Sequence, residues 1–218
     1  MLTAHETTLQ ITHLSQEATR QLAPSFASLP RTEHADGQYR LRRYSVIQFQ
    51  NGKVIPLAKN EFVQSEQINH FQGDIVRQFE PVLAETLQSD GMKEVCELFM
   101  QANDLPNGQQ IEIHQIRVTA IYDETQVAPE GVHQDGFDHI ALVSIDRHNI
   151  VGGDIMLYND CHEAPFFRKV LDSGEVAMLA DSKLWHNASP IRSVDHSQEG
   201  HMDVFVLTAK DGKHELHS

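Results

Sequence analysis

From Asn107-Gly108 onward the chain consists of short apolar runs, each cut off by a turn, and this punctuation limits the fold more than any other feature. Ile111, Ile113, Gln115 and Arg117 alternate with their neighbours, which puts them on one face of a strand. Ile140 to Ile145 is β-branched and apolar, and Gly152-Gly153 marks a turn. Further strands are expected over Asp154 to Tyr158, Glu175 to Leu179 and Asp203 to Ala209. An earlier pair is expected over Tyr39 to Phe49 and Lys53 to Pro56, joined by a turn at Asn51-Gly52. Such strands bury their apolar faces by packing two sheets together, so a jelly-roll sandwich is the natural architecture.

The first half reads differently. Residues 4–20 have the pattern of a first helix. Over Ser65 to Phe79, the residues Ile68, Phe71, Ile75, Val76 and Phe79 recur at spacings of three and four, which is one helix face. Ser65 suits an N-cap, and Pro81 should break or kink the helix. A further turn is expected through Leu83 and Leu87, and a shorter helix over about Lys93 to Gln101, with Val95, Leu98 and Phe99 inward. The expected fold is therefore mainly β (α+β), a jelly roll with helices in its N-terminal half. At 218 residues it is read as one domain. Residues 1–105 supply the flanking helices and first strands, 108–209 the jelly-roll core, and 210–218 a polar tail.

Charge narrows the partners. The chain has 17 basic and 31 acidic residues, a net charge of −14 that repels phosphate backbones. A small molecule is expected rather than nucleic acid. No run of eighteen apolar residues points to a membrane. Met1 to Arg20 lacks the basic start and apolar stretch of a signal peptide, so a cytoplasmic location is expected. Cys96 and Cys161 form no ligand motif and are read as free thiols.

The main chemical clue is Pro129-Glu130-Gly131-Val132-His133-Gln134-Asp135-Gly136. In extended backbone, residues i and i+2 point the same way, so the His133 imidazole and the Asp135 carboxylate can converge on one ion. His186, in Leu184-Trp185-His186-Asn187, stands just past an expected strand and can supply a third ligand. Two histidines and a carboxylate on one face leave coordination positions open, as in non-haem Fe(II) oxygenases. With fourteen histidines in the chain, an H-x-D pair also arises by chance as a surface histidine beside a solvated aspartate. His139, His148, His162 and His201 are competing ligands. A zinc site of His133, Asp135 and His139 would need a helix, which Pro129, Gly131 and Gly136 oppose.

Several further segments occur in a recognisable order: Gln115-Ile116-Arg117, Arg147-His148-Asn149-Ile150-Val151-Gly152-Gly153-Asp154, and Trp185-His186 with Ser189-Pro190-Ile191. With the H-x-D segment, Tyr39-Arg40-Leu41-Arg42-Arg43-Tyr44 and Asn69…Gly73…Arg77, they resemble the bacterial 2-oxoglutarate/Fe(II) dioxygenases that include the L-isoleucine dioxygenases. The resemblance covers about three quarters of the chain. It implies a double-stranded β-helix flanked by N-terminal helices, with Fe(II), 2-oxoglutarate and O2 as cofactors. It also implies hydroxylation of an unactivated C–H bond, coupled to conversion of 2-oxoglutarate to succinate and CO2. Asp135 favours hydroxylation over halogenation, since halogenating relatives usually carry a small residue there. The implied substrate is a free aliphatic L-amino acid of the isoleucine, leucine or methionine type. The oligomeric state is left open, with a homodimer among the options.

In the wider superfamily an arginine at the start of the strand after the distal histidine holds the far carboxylate of 2-oxoglutarate, but Met202 stands near that place. Arg192 and Arg117 are the first substitutes and Arg147 the third, because a guanidinium fork matches a carboxylate. Ser189, Ser193 and Tyr122 are candidate supporting donors. Arg40, Arg42 and Arg77 are candidates for a substrate carboxylate, and Trp185 for pocket lining or core. The rival reading is a cupin-like metal enzyme or sensor that does not use 2-oxoglutarate.

Overall fold

A computed structural model describes residues 8–31, 39–58, 79–121 and 124–211. Its largest element is a seven-stranded antiparallel sheet in the order β1-β9-β5-β12-β4-β2-β3. These strands are β1 (Leu9–His13), β2 (Arg40–Gln50), β3 (Lys53–Pro56), β4 (Gln109–Ala120), β5 (His139–His148), β9 (Glu175–Leu179) and β12 (Gly200–Ala209). Two small sheets accompany it. One holds β7 (Ile155–Tyr158), β8 (Phe167–Lys169) and β10 (Trp185–Ala188), and the other β6 (Ile150–Gly152) and β11 (Ile191–Ser193). The architecture is the expected jelly roll, mostly β, with no closed barrel among the described residues.

Strand alternation divides the core in two. Ile47, Ile111, Ile113, Val143, Phe205 and Leu207 point to one face of the large sheet, where the helices cover them. There α3 (Asp90–Ala102) buries Met92, Val95, Cys96 and Phe99. Ser89 caps it by accepting from the Met92 amide at 3.1 Å. α1 (Gln16–Leu22) lies beside α3, tied by the Ser15 hydroxyl donating to Glu94 at 2.7 Å. A single helical turn, α2 (Ala84–Leu87), precedes α3. On the opposite face, Ile116, Val118 and Met202 pack under Ile191, while Ile140, Leu142 and Leu179 pack with Leu157 and Leu184. This second face, under the small sheets, holds the candidate active site.

The strands over 53–56 and 175–179 fall where the sequence put them. The expected first helix over 4–20 is corrected. Leu9–His13 is a strand that pairs with β9, and the helix begins only at Gln16. Ile11 and Leu9 alternate into the second core, so pairing to a buried edge overrides the local helical pattern. The helix expected over 65–79 lies outside the described residues but for Phe79, as do Asn69, Gly73, Arg77 and Tyr122. Cys96 is buried and Cys161 partly so, and both are free thiols.

Candidate active site

His133 and His186 are brought together by backbone. The loop before β5 runs antiparallel to β10, and the His133 and His186 amides each donate to the other's carbonyl, at 3.0 and 2.9 Å. Side chains of such a directly opposed pair sit close together. Their ring centroids are 4.3 Å apart. Gly131, at φ +73, turns the chain so that its carbonyl accepts from His133 Nδ1 at 2.7 Å. A carbonyl only accepts, so Nδ1 carries the hydrogen and Nε2 is the nitrogen turned toward Asp135.

Asp135 completes the group. Its Oδ1 lies 3.3 Å from His133 Nε2 and its Oδ2 3.2 Å from His186 Nε2. All three donor atoms lie within 4.8 Å of one another. Ligands on an ion with bonds of about 2.1 Å sit about 3 Å apart at right angles, so the set fits one face of an octahedron. Burial would raise the Asp135 pKa, but hydrogen bonds from His133 and His186 and their charges outweigh it and hold the carboxylate well below its usual range. Burial would lower that of His133, but the bonds to Asp135 and Gly131 and the charges of Asp135 and Glu130 lift it to about 9. The two shifts express one fact: the donors are held so close that each keeps its partner charged.

Asp181, which the sequence reading missed, holds this group in place. Its carboxylate is fully buried and accepts from the Asp135 amide at 3.2 and 3.0 Å and from the Phe137 amide at 3.1 Å. Its Oδ1 also faces His186 Nδ1 at 3.6 Å, which turns Nε2 toward Asp135. Burial and the nearby Asp135 charge raise the Asp181 pKa. The available signal was an aspartate two residues past the apolar run that ends at Leu179, and five positions before His186.

The three arginines separate. Arg117 projects to the helix side of the large sheet, where its Nε and Nη2 donate to Asp203 at 2.7 and 2.9 Å. Its neighbour on that face, Gln115, bonds Ser25. Arg192 is exposed on β11 beside Val151 and Val194. Neither joins the triad. Arg147 faces the space between the sheets because of a bulge in β5. Asp203 pairs with Asp146 and Val204 with Ser144, so Ile145 is skipped and Arg147 turns to the side of Met202. Its Nη2 donates to the Gly152 carbonyl at 2.8 Å, and Nη1 meets Met202 Sδ at 4.0 Å, a weak acceptor. Burial lowers its pKa against the raising charges of Asp154 and Asp172.

A second wall of this space comes from β2 and β4. Arg40, Arg42 and Tyr44 pair with Val118, Ile116 and His114 and share their face. Arg40 Nη1 is 4.0 Å from Glu130 in the loop that carries His133. Burial, then the Arg42 charge, lower the His114 pKa to about 4, while the Asp135 charge opposes them. His114 is therefore a neutral imidazole within electrostatic reach of the triad. Two other donor groups occur among the described residues. In Asp146, His201 and Asp203, both oxygens of Asp203 already accept from Arg117. Asp160, Cys161 and His162 are consecutive residues of one surface loop.

The model of the 2OG-Fe dioxygenase family matches residues 23–208. The chain belongs to that family. It is a non-haem iron, 2-oxoglutarate-dependent oxygenase, with Fe(II), 2-oxoglutarate and O2 as cofactors. The rival reading of an enzyme or sensor without 2-oxoglutarate is set aside by this membership. Among curated proteins none matches its sequence. Among solved structures it is similar to a bsmA homolog from Methylobium petroleophilum PM1, at 26% identity and a TM-score of 0.74, covering 90% of this chain and 82% of that one. It is similar in fold to IDO from Bacillus thuringiensis, at 18% identity and a TM-score of 0.72, covering 95% and 91%. The Fe(II)/α-ketoglutarate-dependent dioxygenase TqaL shares the fold at 14% identity and a TM-score of 0.67, covering 94% and 83%.

Proposed function

We propose that His133, Asp135 and His186 ligate Fe(II), that Arg147 anchors the distal carboxylate of 2-oxoglutarate, and that the chain hydroxylates a free aliphatic L-amino acid. The observation that carries the reading is the convergence of three tautomer-matched donor atoms, two with Nε2 inward and one carboxylate, on one point beside a cavity wall. When bound, the iron would activate O2, the oxidant, with 2-oxoglutarate as the electron source. The protein fixes the ligands, keeps the substrate against them and holds water away.

Arg147 is preferred over Arg192 and Arg117 because it alone of the three faces the space between the sheets and has donor capacity left beyond one carbonyl. It stands directly across from Met202, so the guanidinium comes from the neighbouring strand when β12 lacks one. Arg40 and Arg42 suit the substrate carboxylate, being cations on the wall next to the triad. On this reading the chain acts as a single domain on substrates of the isoleucine dioxygenase type.

The test is to supply Fe(II), ascorbate and 2-oxoglutarate and to measure succinate against a panel of L-amino acids. Stimulation by isoleucine, leucine or methionine is expected. Asp135→Ala and His186→Ala should lose turnover by at least about 100-fold, and full turnover in either would remove the triad assignment. Arg147→Ala should raise the 2-oxoglutarate KM at least about tenfold, with Arg117→Ala and Arg192→Ala much closer to wild type.

A further inference from the structure

The wall beside the triad contains a carboxylate with no role in the site so far. Glu112 lies on β4 two residues before His114, on the same face. It belongs to a row across the large sheet that runs Val46, Glu112, Thr208, Ile140 and Leu179. Two members of that row, Leu179 and Thr208, adjoin residues that lead into the triad's support. Asp181 follows Leu179 by two residues, and the Asp138 amide, three residues past Asp135, donates to the Ala209 carbonyl at 3.1 Å. Glu112 is thus on the sheet beneath the metal ligands.

We propose that Glu112 receives the substrate's ammonium group and makes the enzyme selective for amines. This rests on the reading of the substrate as a free amino acid. The carboxylate is fixed by two neutral donors, Tyr44 Oη on Oε1 and Thr208 Oγ1 on Oε2, the latter at 3.1 Å. Each carboxylate oxygen can accept more than one hydrogen bond, so two hydroxyls orient it without saturating it. Burial raises its pKa beyond what those two bonds and the charge of Lys210 take back. A buried carboxylate gains most from a cation in direct contact. Along the wall the order is an anion at Glu112, a neutral imidazole at His114 and cations at Arg42 and Arg40. An α-amino acid presents an ammonium and a carboxylate on one carbon, the complement of that order.

The bland alternative is that Tyr44, Glu112 and Thr208 only pin β2, β4 and β12 together. A pin has no reason to distinguish an amine from its absence. The experiment therefore pairs L-leucine, L-isoleucine and L-methionine with 4-methylpentanoate, 3-methylpentanoate and 4-(methylthio)butanoate, the acids without the amino group. Substrate-stimulated succinate gives kcat and KM, and calorimetry gives direct binding. The wild type should prefer the amino acid by at least about 100-fold in kcat/KM, as a site built to bond a polar group does. Glu112→Gln should raise the amino-acid KM at least about 30-fold and shrink the preference to under about tenfold. Tyr44→Phe, which removes one of the two hydroxyls that orient the carboxylate, should fall between. Melting temperature and Fe(II) affinity are measured on each variant, and Tyr44→Phe carries the test if Glu112→Gln does not fold. An unchanged preference in the variants overturns the Glu112 role and leaves the amino-acid reading standing. A wild type equally stimulated by the deaminated acids also overturns it. Turnover of 2-oxoglutarate with no stimulation by any amino acid overturns the substrate reading itself, and this proposal with it.

Discussion

At the scale of single residues, the site depends on which atoms are fixed before any metal arrives. Asp181 accepts from two amides of the ligand loop and faces His186, so it sets both the loop and the second imidazole. Removing such a support typically weakens metal binding by about 10–100-fold. Asp181→Ala is expected to weaken Fe(II) binding by that factor in an anaerobic titration, and an unchanged dissociation constant would contradict the role. The His133 pKa of about 9 makes a second prediction. It lies above the usual imidazole value of about 6.5, so protonated His133 adds stability to the metal-free protein below about pH 6.5, and this is lost as pH rises through about 9. The depressed Asp135 works in the other direction, adding stability that is lost as pH falls through its folded-state value. Iron needs a neutral imidazole and must displace that proton, so Fe(II) affinity should rise about tenfold per pH unit from pH 6 to 8. Proton release, read from calorimetry in buffers of different ionisation enthalpy, checks it, and a flat profile would reject it. That His133 and Asp135 point the same way was readable because spacing two apart in extended backbone has a fixed geometric meaning, and the structure brings His186 to them. Asp181 was not, because its role is to accept from amides 44 to 46 positions away, and no local pattern records that.

At the scale of elements, the strands over 53–56 and 175–179 were legible because alternation and turn residues bound them tightly. The bulge in β5 was not. Counting by twos from Ile145 puts Arg147 on the helix side, and only the skipped residue opposite Asp203 and Val204 turns it inward. Arg117 shows the converse, since its face was read rightly as that of Gln115, yet that face looks away from the triad. The turn after β6 fixes the depth of this corner. A Cβ on Gly152 would lie 2.0 Å from the Pro190 carbonyl oxygen, at φ +87, with Ile191 directly paired to Gly152. Gly152→Ala therefore has to displace the backbone four residues after His186 and beside the Arg147 contact. It should destabilise the fold by about 1–3 kcal/mol in denaturant titration and raise the 2-oxoglutarate KM. Gly108→Ala is the control, with the same φ of +87 but only the flexible Gln48 amide at 3.4 Å. If both substitutions change the 2-oxoglutarate KM equally, backbone strain alone explains the effect and the corner does not position the cosubstrate.

At the scale of the whole molecule, the two layers of the jelly roll are held unequally. The large sheet has long strands and a helix-covered core, whereas the facing sheets are built from strands of three or four residues. The triad lies where that weaker layer meets the loop before β5, with one histidine on each side of a two-bond bridge. An ion bound to both sides closes that junction and binds the folded state only, so it should stabilise the protein by mass action. At a free metal concentration of about 100 times the dissociation constant the gain is about 2.7 kcal/mol. For a chain of this size that corresponds to a rise in Tm of about 5–10 °C. Mn(II), a redox-silent substitute, should produce the rise in a thermal melt, and a chelator should reverse it. His186→Ala should abolish the shift, while Arg147→Ala should keep it, because Arg147 contacts Gly152 and Met202 rather than the triad. A shift that survived His186→Ala would mean that the stabilising ion sits elsewhere, with Asp146, His201 and Asp203 the next donor group to test.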